Sequence, residues 1–202
     1  MELDIKQLSV LDRYKLMIGL IYPRPIALIS TWSENGVANC APFSYFNGMC
    51  EDPMLVVPSF NARTDGKTKH SLANLLRTGE FVVNMVDEPI ANGMHISSAE
   101  FAEEESEFEK AGFTAAPCKL VRHPRIAEAP ASLECRLFKR IEVGPVRDII
   151  LGEIIHVHAR DDIIDAKTGR VSELNYRPVG RLYGNRYCTT RQRFDLPGAL
   201  PD

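Results

Sequence analysis

The chain has 202 residues, 45% hydrophobic and 25% charged, a composition that carries a buried core and excludes general disorder. Its formal charge of −3 speaks against a nucleic-acid partner, but the charge is uneven. Residues 99–111 hold six glutamates and one lysine, a sum of −5, so the remainder sums to +2. The opening MELDIKQLSVLDRYK has no basic stretch followed by an apolar run, and nothing approaches about 18 consecutive apolar residues. No secretory signal and no membrane span are therefore expected, and a cytoplasmic location follows as the default.

In chain order, a short helix is expected around Leu11–Met17. The apolar run Ile26–Thr31 follows Pro-Arg-Pro and reads as a strand. Glu34-Asn35-Gly36 is a hairpin turn, returning through Val37–Ala41. Pro42 cannot donate to a central ladder, so Asn39–Asn47 belongs at an edge or a bulge. Met54–Pro58 and Phe81–Val86 are further strands. Between them, Leu72, Leu75 and Leu76 share one face of a helix over Lys69–Arg77, with Thr68 as N-cap and Gly79 as stop. A second helix is expected over Ala99–Ala111, ended by Gly112, with Phe101 and Phe108 among its glutamates. Leu133–Val143 and Ile149–Ala159 complete the strands. These runs lie too close together for a helix between each pair. The fold class is therefore mainly β, an antiparallel Greek-key-type barrel with peripheral helices. No linker divides the chain, so one domain spans 1–202, with a core of about 15–188 and a C-terminal arm of about 189–202.

Two segments carry chemistry. Arg63, Lys67 and Lys69 place three cations and one carboxylate, Asp65, at the start of the first helix. Cations there oppose the helix dipole, and first-turn N–H groups need acceptors. A bound phosphate answers both demands, and a solvated basic turn is the alternative. The stretch Asn39-Cys-Ala-Pro-Phe-Ser-Tyr-Phe-Asn47 has small residues that let a flat heteroaromatic ring approach the backbone. An irregular strand step is the other reading. Five cysteines (Cys40, Cys50, Cys118, Cys135, Cys188) show no C-x-x-C pair and read as reduced thiols. His156 and His158 alternate on one strand face, but a metal would need a third ligand that the sequence does not identify, so no metal is assigned.

These segments together resemble the flavin reductase-like family with the FMN-binding split β-barrel, the group that includes flavoredoxin. Pro23–Thr31 (PRPIALIST) is similar to the family's first strand, and Asn39–Ser44 (NCAPFS) to its N-x-APFS segment. Lys69–Asn74 (KHSLAN) stands where K-D-T-x-x-N is common, with His70 and Ser71 replacing Asp and Thr. Glu80–Asn84 (EFVVN), Ser106–Phe113 (SEFEKAGF), Gly152-Glu153 and Arg181–Gly184 follow in order. The resemblance implies FMN at a homodimer interface. Ser30 and Thr31 would lie near the ring or the ribityl chain. Ala41, Pro42, Phe43 and Ser44 would contact the isoalloxazine, and Asn39 would also belong to the cofactor site. Ser59, Arg63, Lys67, Lys69 and Ser71 would hold the phosphate, with Asn74 beside them. NADH or NADPH would donate a hydride to flavin N5, so no side chain is assigned a catalytic role. His95 would line the cleft, and the acidic run would be a solvated face or a lid carrying Phe101 or Phe108. Arg181, with Arg177, Arg186, Arg191 and Arg193, would meet a nucleotide phosphate, a partner subunit or the acidic run. The alternatives are an FMN electron carrier served by a redox partner protein, and a non-catalytic dimerisation barrel that has lost flavin.

Overall fold

A strong apolar run can be buried on both faces only if something covers each side of its sheet. The computed structural model, which describes residues 1–196 and Gly198, provides both covers. Pro197 and residues 199–202, the end of the expected C-terminal arm, lie outside the described residues.

Helix α1 (Val10–Leu20) runs longer than expected, and Ser9 caps it by accepting the Asp12 N–H at 3.1 Å. Strands β1 (Ala27–Trp32) and β2 (Ala38–Phe43) form the expected hairpin, turned by Gly36 at φ 77°. Then come β3 (Phe46–Glu51), β4 (Met54–Asn61), α2 (His70–Thr78) and β5 (Glu80–Met85). Helices α3 (Ala91–Ile96) and α4 (Glu107–Ala111) precede the short pair β6 (Ala115–Ala116) and β7 (Arg125–Ile126). The long hairpin β8 (Ala131–Glu142) and β9 (Arg147–Ala159) follows, then the small pair β10 (Val179–Arg181) and β11 (Tyr187–Thr189).

Seven strands form one antiparallel sheet in the order β2-β1-β5-β8-β9-β4-β3. Its two edges, β2 and β3, are separated in the chain by only Ser44 and Tyr45. The sheet must curl until those edges meet, giving a barrel split along that seam. Inside, Ala27, Ile29, Phe43, Phe60, Phe81, Val83 and Ile150 pack together, and Leu72 and Leu75 of α2 join them. The opposite face of β1 carries Leu28 against Cys40, Met94, Phe108 and Ile126. This double burial explains why β1 reads as a continuous apolar run rather than an alternation. Phe81 fits because residue 152 is glycine: a Cβ there would stand 2.3 Å from the ring's Cζ.

The sequence reading is corrected in two places. Strand β3 was not expected, because FNGMCE has little β propensity and is held in place by pairing with β4. The helix expected over 99–111 is confined to Glu107–Ala111, while residues 99–106 form turns and irregular chain. Among the described residues, no helix is long and apolar enough to cross a membrane.

Candidate functional site

The basic turn folds as the residue types require. Gly66, at φ 80°, donates to the Arg63 carbonyl, Arg63 N–H donates to the Lys67 carbonyl, and Asp65 accepts the Lys67 N–H at 3.0 Å. The N-cap of α2 is Lys69 rather than Thr68, and it makes no side-chain cap hydrogen bond. No capping side chain therefore serves the first-turn amides of α2, and cations stand around them. The adjoining cleft, about 720 Å³, is lined by Arg63, Lys67, His70, Asn74, Glu103 and Glu104. Burial, and then the Arg63 charge, lower the His70 pKa.

The acidic run lies against this cradle rather than on a solvated helix face. Glu100 accepts from the Thr64 N–H at 3.2 Å and from its hydroxyl at 2.5 Å, and sits 3.5 Å from Lys69 Nζ. The Thr64 hydroxyl is the main cause of its lowered pKa. Arg63 donates to the Phe101 carbonyl at 3.4 Å and lies 3.1 Å from His70 Nε2. Phe108, expected as a substrate or lid contact, is instead a core residue at 2% exposure, edge-on to Phe113. An apolar ring beside the barrel is more stable in that core than over a wet cleft.

Behind the cradle is a buried polar layer. Asn39 Oδ1 accepts from Ser71 at 2.8 Å and from Thr31 at 3.3 Å, and its Nδ2 donates to Glu107 at 2.9 Å. Asn74 Nδ2 donates to the Thr31 hydroxyl at 3.1 Å. Ser30 donates to the Pro124 carbonyl and accepts from Asn84. Four of the expected contacts (Ser30, Thr31, Asn39 and Ser71) thus bond one another or the protein behind the cleft, while Asn74 also lines it. Burial raises the Glu107 carboxyl pKa, and its Oε2 is buried without a partner.

A second cleft, about 190 Å³, opens at the end of β2 and is lined by Pro42, Ser44, Tyr45, His95, Arg181 and Tyr187, among others. Ser44 Oγ accepts from Arg24 Nε at 3.4 Å, and Arg24 is anchored on the carbonyls of Ile18, Ile21 and Leu182. His95 Nδ1 lies 3.3 Å from the Tyr187 hydroxyl, which Arg181 also reaches. Of the other expected ring contacts, Ala41 is half-buried, whereas Phe43 turns into the barrel with its ring 4.4 Å from Phe60. Ser59 is not brought to the α2 cradle: it accepts from Arg147 at 3.1 Å and its N–H bonds the Tyr45 carbonyl.

Sequence reasoning missed three participants. Glu100 could have been suspected from the opposite charges of the two segments, Arg24 stood inside the PRPIALIST motif without a role assigned to it, and Tyr187 carried no local signal. In the tail, Arg191 pairs with Glu88 and Arg193 with Glu173, rather than with the acidic run. The five cysteines are free; Cys40 and Cys135 are fully buried, and burial pushes both thiols up, which makes them inert.

Two further buried polar groups brace the region. His123 Nδ1 accepts the Trp32 N–H at 2.9 Å and its Nε2 lies 2.8 Å from the Thr78 hydroxyl; burial lowers its pKa to about 4. Glu134, with no exposed surface, accepts the amides of Lys119, Leu120 and Val121 at 2.6–2.9 Å and lies 2.6 Å from His158 Nε2. Burial pushes its pKa up, but these donors outweigh that and hold it at about 2.

Comparison with known proteins bears on the whole assembly. The model of the flavin reductase like domain matches residues 18–186. An uncharacterized protein of Aquifex aeolicus is 42% identical over 187 residues, covering 93% of this chain and 94% of that one. The structure of Pseudomonas fluorescens 2-nitrobenzoate 2-nitroreductase NbaA is 37% identical with a TM-score of 0.89, covering 100% and 99% of the two chains. Nitrilotriacetate monooxygenase component B of Bacillus cereus is 30% identical with a TM-score of 0.92, covering 97% and 98%. The chain therefore belongs to the flavin reductase-like family of FMN-binding split barrels.

Proposed function

We propose that the chain binds FMN and, using NADH or NADPH as donor, acts as a flavin reductase that passes the electrons onward. The observation that carries this is one strand, β2, leading from a cationic cradle to an aromatic-lined cleft. The five residue steps of extended chain from Asn39 to Ser44 span about 17 Å, a distance suited to a ligand built as ring, sugar-alcohol chain and phosphate. The donor set fits FMN. Arg63, Lys67, Lys69 and the first-turn amides of α2 suit a phosphate dianion. The backbone of β2 and the Ser44 hydroxyl suit the edge of a flat heteroaromatic ring.

In this reading the cations bind the phosphate, and the buried layer of Thr31, Asn39, Ser71 and Asn74 keeps the floor rigid. Pro42 leaves an edge position without a donor, so the ring can approach the strand there. His95, Tyr187 and Arg181 border the second cleft and would orient the nicotinamide donor. When bound, FMN supplies the two-electron centre at N5, so no side chain has to act as acid, base or nucleophile. A second copy of the chain is proposed to cover α1, which buries no residue of its own and exposes Val10, Leu11, Tyr14, Met17 and Leu20 beside the second cleft. The flavin would then lie near a homodimer interface.

The test is absorbance followed by anaerobic reduction. Purified protein with added FMN should retain the flavin bands through desalting, and NADH or NADPH should bleach them. Retained bands that neither donor bleaches would make the protein an FMN carrier. Failure to retain FMN would overturn the reading altogether.

A further inference from the structure

The H-x-H pair on β9 lacks a third ligand when only the sequence is considered, and the fold supplies two. Cys118 Sγ, a Glu134 carboxylate oxygen and a His158 ring nitrogen all lie within 4.8 Å of one another. His156 stands directly opposite Glu134 in the β8–β9 register, so both side chains project from the same face of the sheet. The rings of His156 and His158 are 4.9 Å apart. The three clustered residues come from three places: the loop after β6, strand β8 and strand β9. None of them belongs to the proposed FMN site.

We propose that Cys118, Glu134 and His158 form a three-ligand binding site for a divalent transition metal of the zinc class, with His156 stacked edge-on behind His158. One thiolate, one carboxylate and one imidazole are a donor set that such ions accept in four-coordinate geometry, with water as the fourth ligand. Glu134 is pre-positioned, because the Lys119, Leu120 and Val121 amides fix its carboxylate. The metal would take the place of the hydrogen now shared between His158 Nε2 and Glu134 Oε1, and the imidazole's single proton would move to Nδ1, so His158 stays neutral. Their separation of 2.6 Å would open by under about 1 Å to admit ligand bonds of about 2.0–2.2 Å. The charge balance is simple. Glu134 binds as a carboxylate and His158 as the neutral Nδ1–H tautomer, so metal entry displaces one proton, from the Cys118 thiol, to solvent. Arg125, whose charge reaches that thiol, offsets part of the second negative charge. The site would clamp the loop carrying residues 117–121 onto the β8–β9 hairpin, which makes its role structural.

The experiment is an anaerobic titration of reduced, metal-stripped full-length protein with Co2+ and then Zn2+. The proposal expects one bound metal, a thiolate-to-cobalt charge-transfer band, strong visible bands of four-coordinate cobalt, and about one proton released per metal. Cys118→Ser, nearly isosteric, should abolish the charge-transfer band, and His158→Gln should weaken binding about 100-fold. Cys188→Ser should change neither. Circular dichroism of each variant shows whether it is folded, and the wild-type titration stands independently if His158→Gln is not. No charge-transfer band at stoichiometric cobalt, or a band that survives Cys118→Ser, would overturn the site. That outcome would leave Glu134 as a hydrogen-bond hub alone.

Discussion

Glu100 bonds Thr64 and pairs with Lys69 at the edge of the proposed phosphate cradle, so its removal makes a quantitative prediction. In Glu100→Gln the side chain keeps its size and one acceptor oxygen but loses its charge. The carboxylate sits 3.5 Å from Lys69 Nζ, with both side chains about one-quarter exposed. At that distance the direct attraction is about 1.2 kcal/mol in bulk-water dielectric and about 5 kcal/mol at an effective dielectric of 20. Partial exposure and side-chain entropy bring the net value of such a pair toward about 1 kcal/mol. An incoming phosphate dianion must compete for Lys69 and is repelled by the carboxylate. Removing the charge should therefore tighten FMN binding by about 1–1.4 kcal/mol, or roughly five- to tenfold. The assay is FMN fluorescence quenching on flavin-free protein at low and high salt. The gain should shrink as salt rises, because the screening length falls from about 10 Å at 0.1 M to about 3 Å at 1 M. Lys69→Ala should move affinity the other way, by about tenfold. Unchanged or weaker affinity in Glu100→Gln would refute the competition. FMN binding that is unchanged in both variants would mean the phosphate lies elsewhere.

Four further outcomes follow from the core. His123 is held neutral, with a pKa lowered to about 4 from an ordinary 6.5, so the unfolded chain binds its proton first. Stability should fall as pH drops from about 6.5 to 4, by roughly 3 kcal/mol at most, and His123→Gln should flatten that slope in urea melts taken across the window. Glu134 extends the acid sensitivity, since its stabilisation is present above about 4.5 and is lost as pH falls towards 2. Gly152→Ala should destabilise the barrel by about 1–3 kcal/mol, because the new Cβ meets the Phe81 ring at 2.3 Å. Pairing it with Phe81→Leu should recover part of the loss in a double-mutant cycle, and strict additivity would show that the two do not touch. Finally, a thiol reagent should leave Cys40 and Cys135 unmodified in the native protein and label both after denaturation.

Much of the barrel was legible in the chain itself. Ile26–Thr31, Met54–Pro58, Phe81–Val86 and the two late runs are β-rich and too closely spaced for helical crossovers, and all became strands of one sheet. Strand β3 and helix α3 were not legible, because FNGMCE and ANGMHI carry turn-like residues and owe their form to their surroundings. The basic turn at 63–69 was visible as charge, and the NCAPFS stretch as an edge, which Pro42 on edge strand β2 bears out.

The sequence by itself determined that the long apolar runs are strands, which faces are apolar and which family the chain resembles. Each of these is written in residues close together in the chain. Only the tertiary structure decided that Glu100 pairs with Lys69, that Ser71 bonds Asn39 behind the cradle, that Phe108 is core, and that Cys118 and Glu134 come together with His158 of β9. Periodicity reports the faces of one element. Contacts between residues tens of positions apart depend on how the sheet curls and which loop covers it, and neither is encoded in the spacing of any single run.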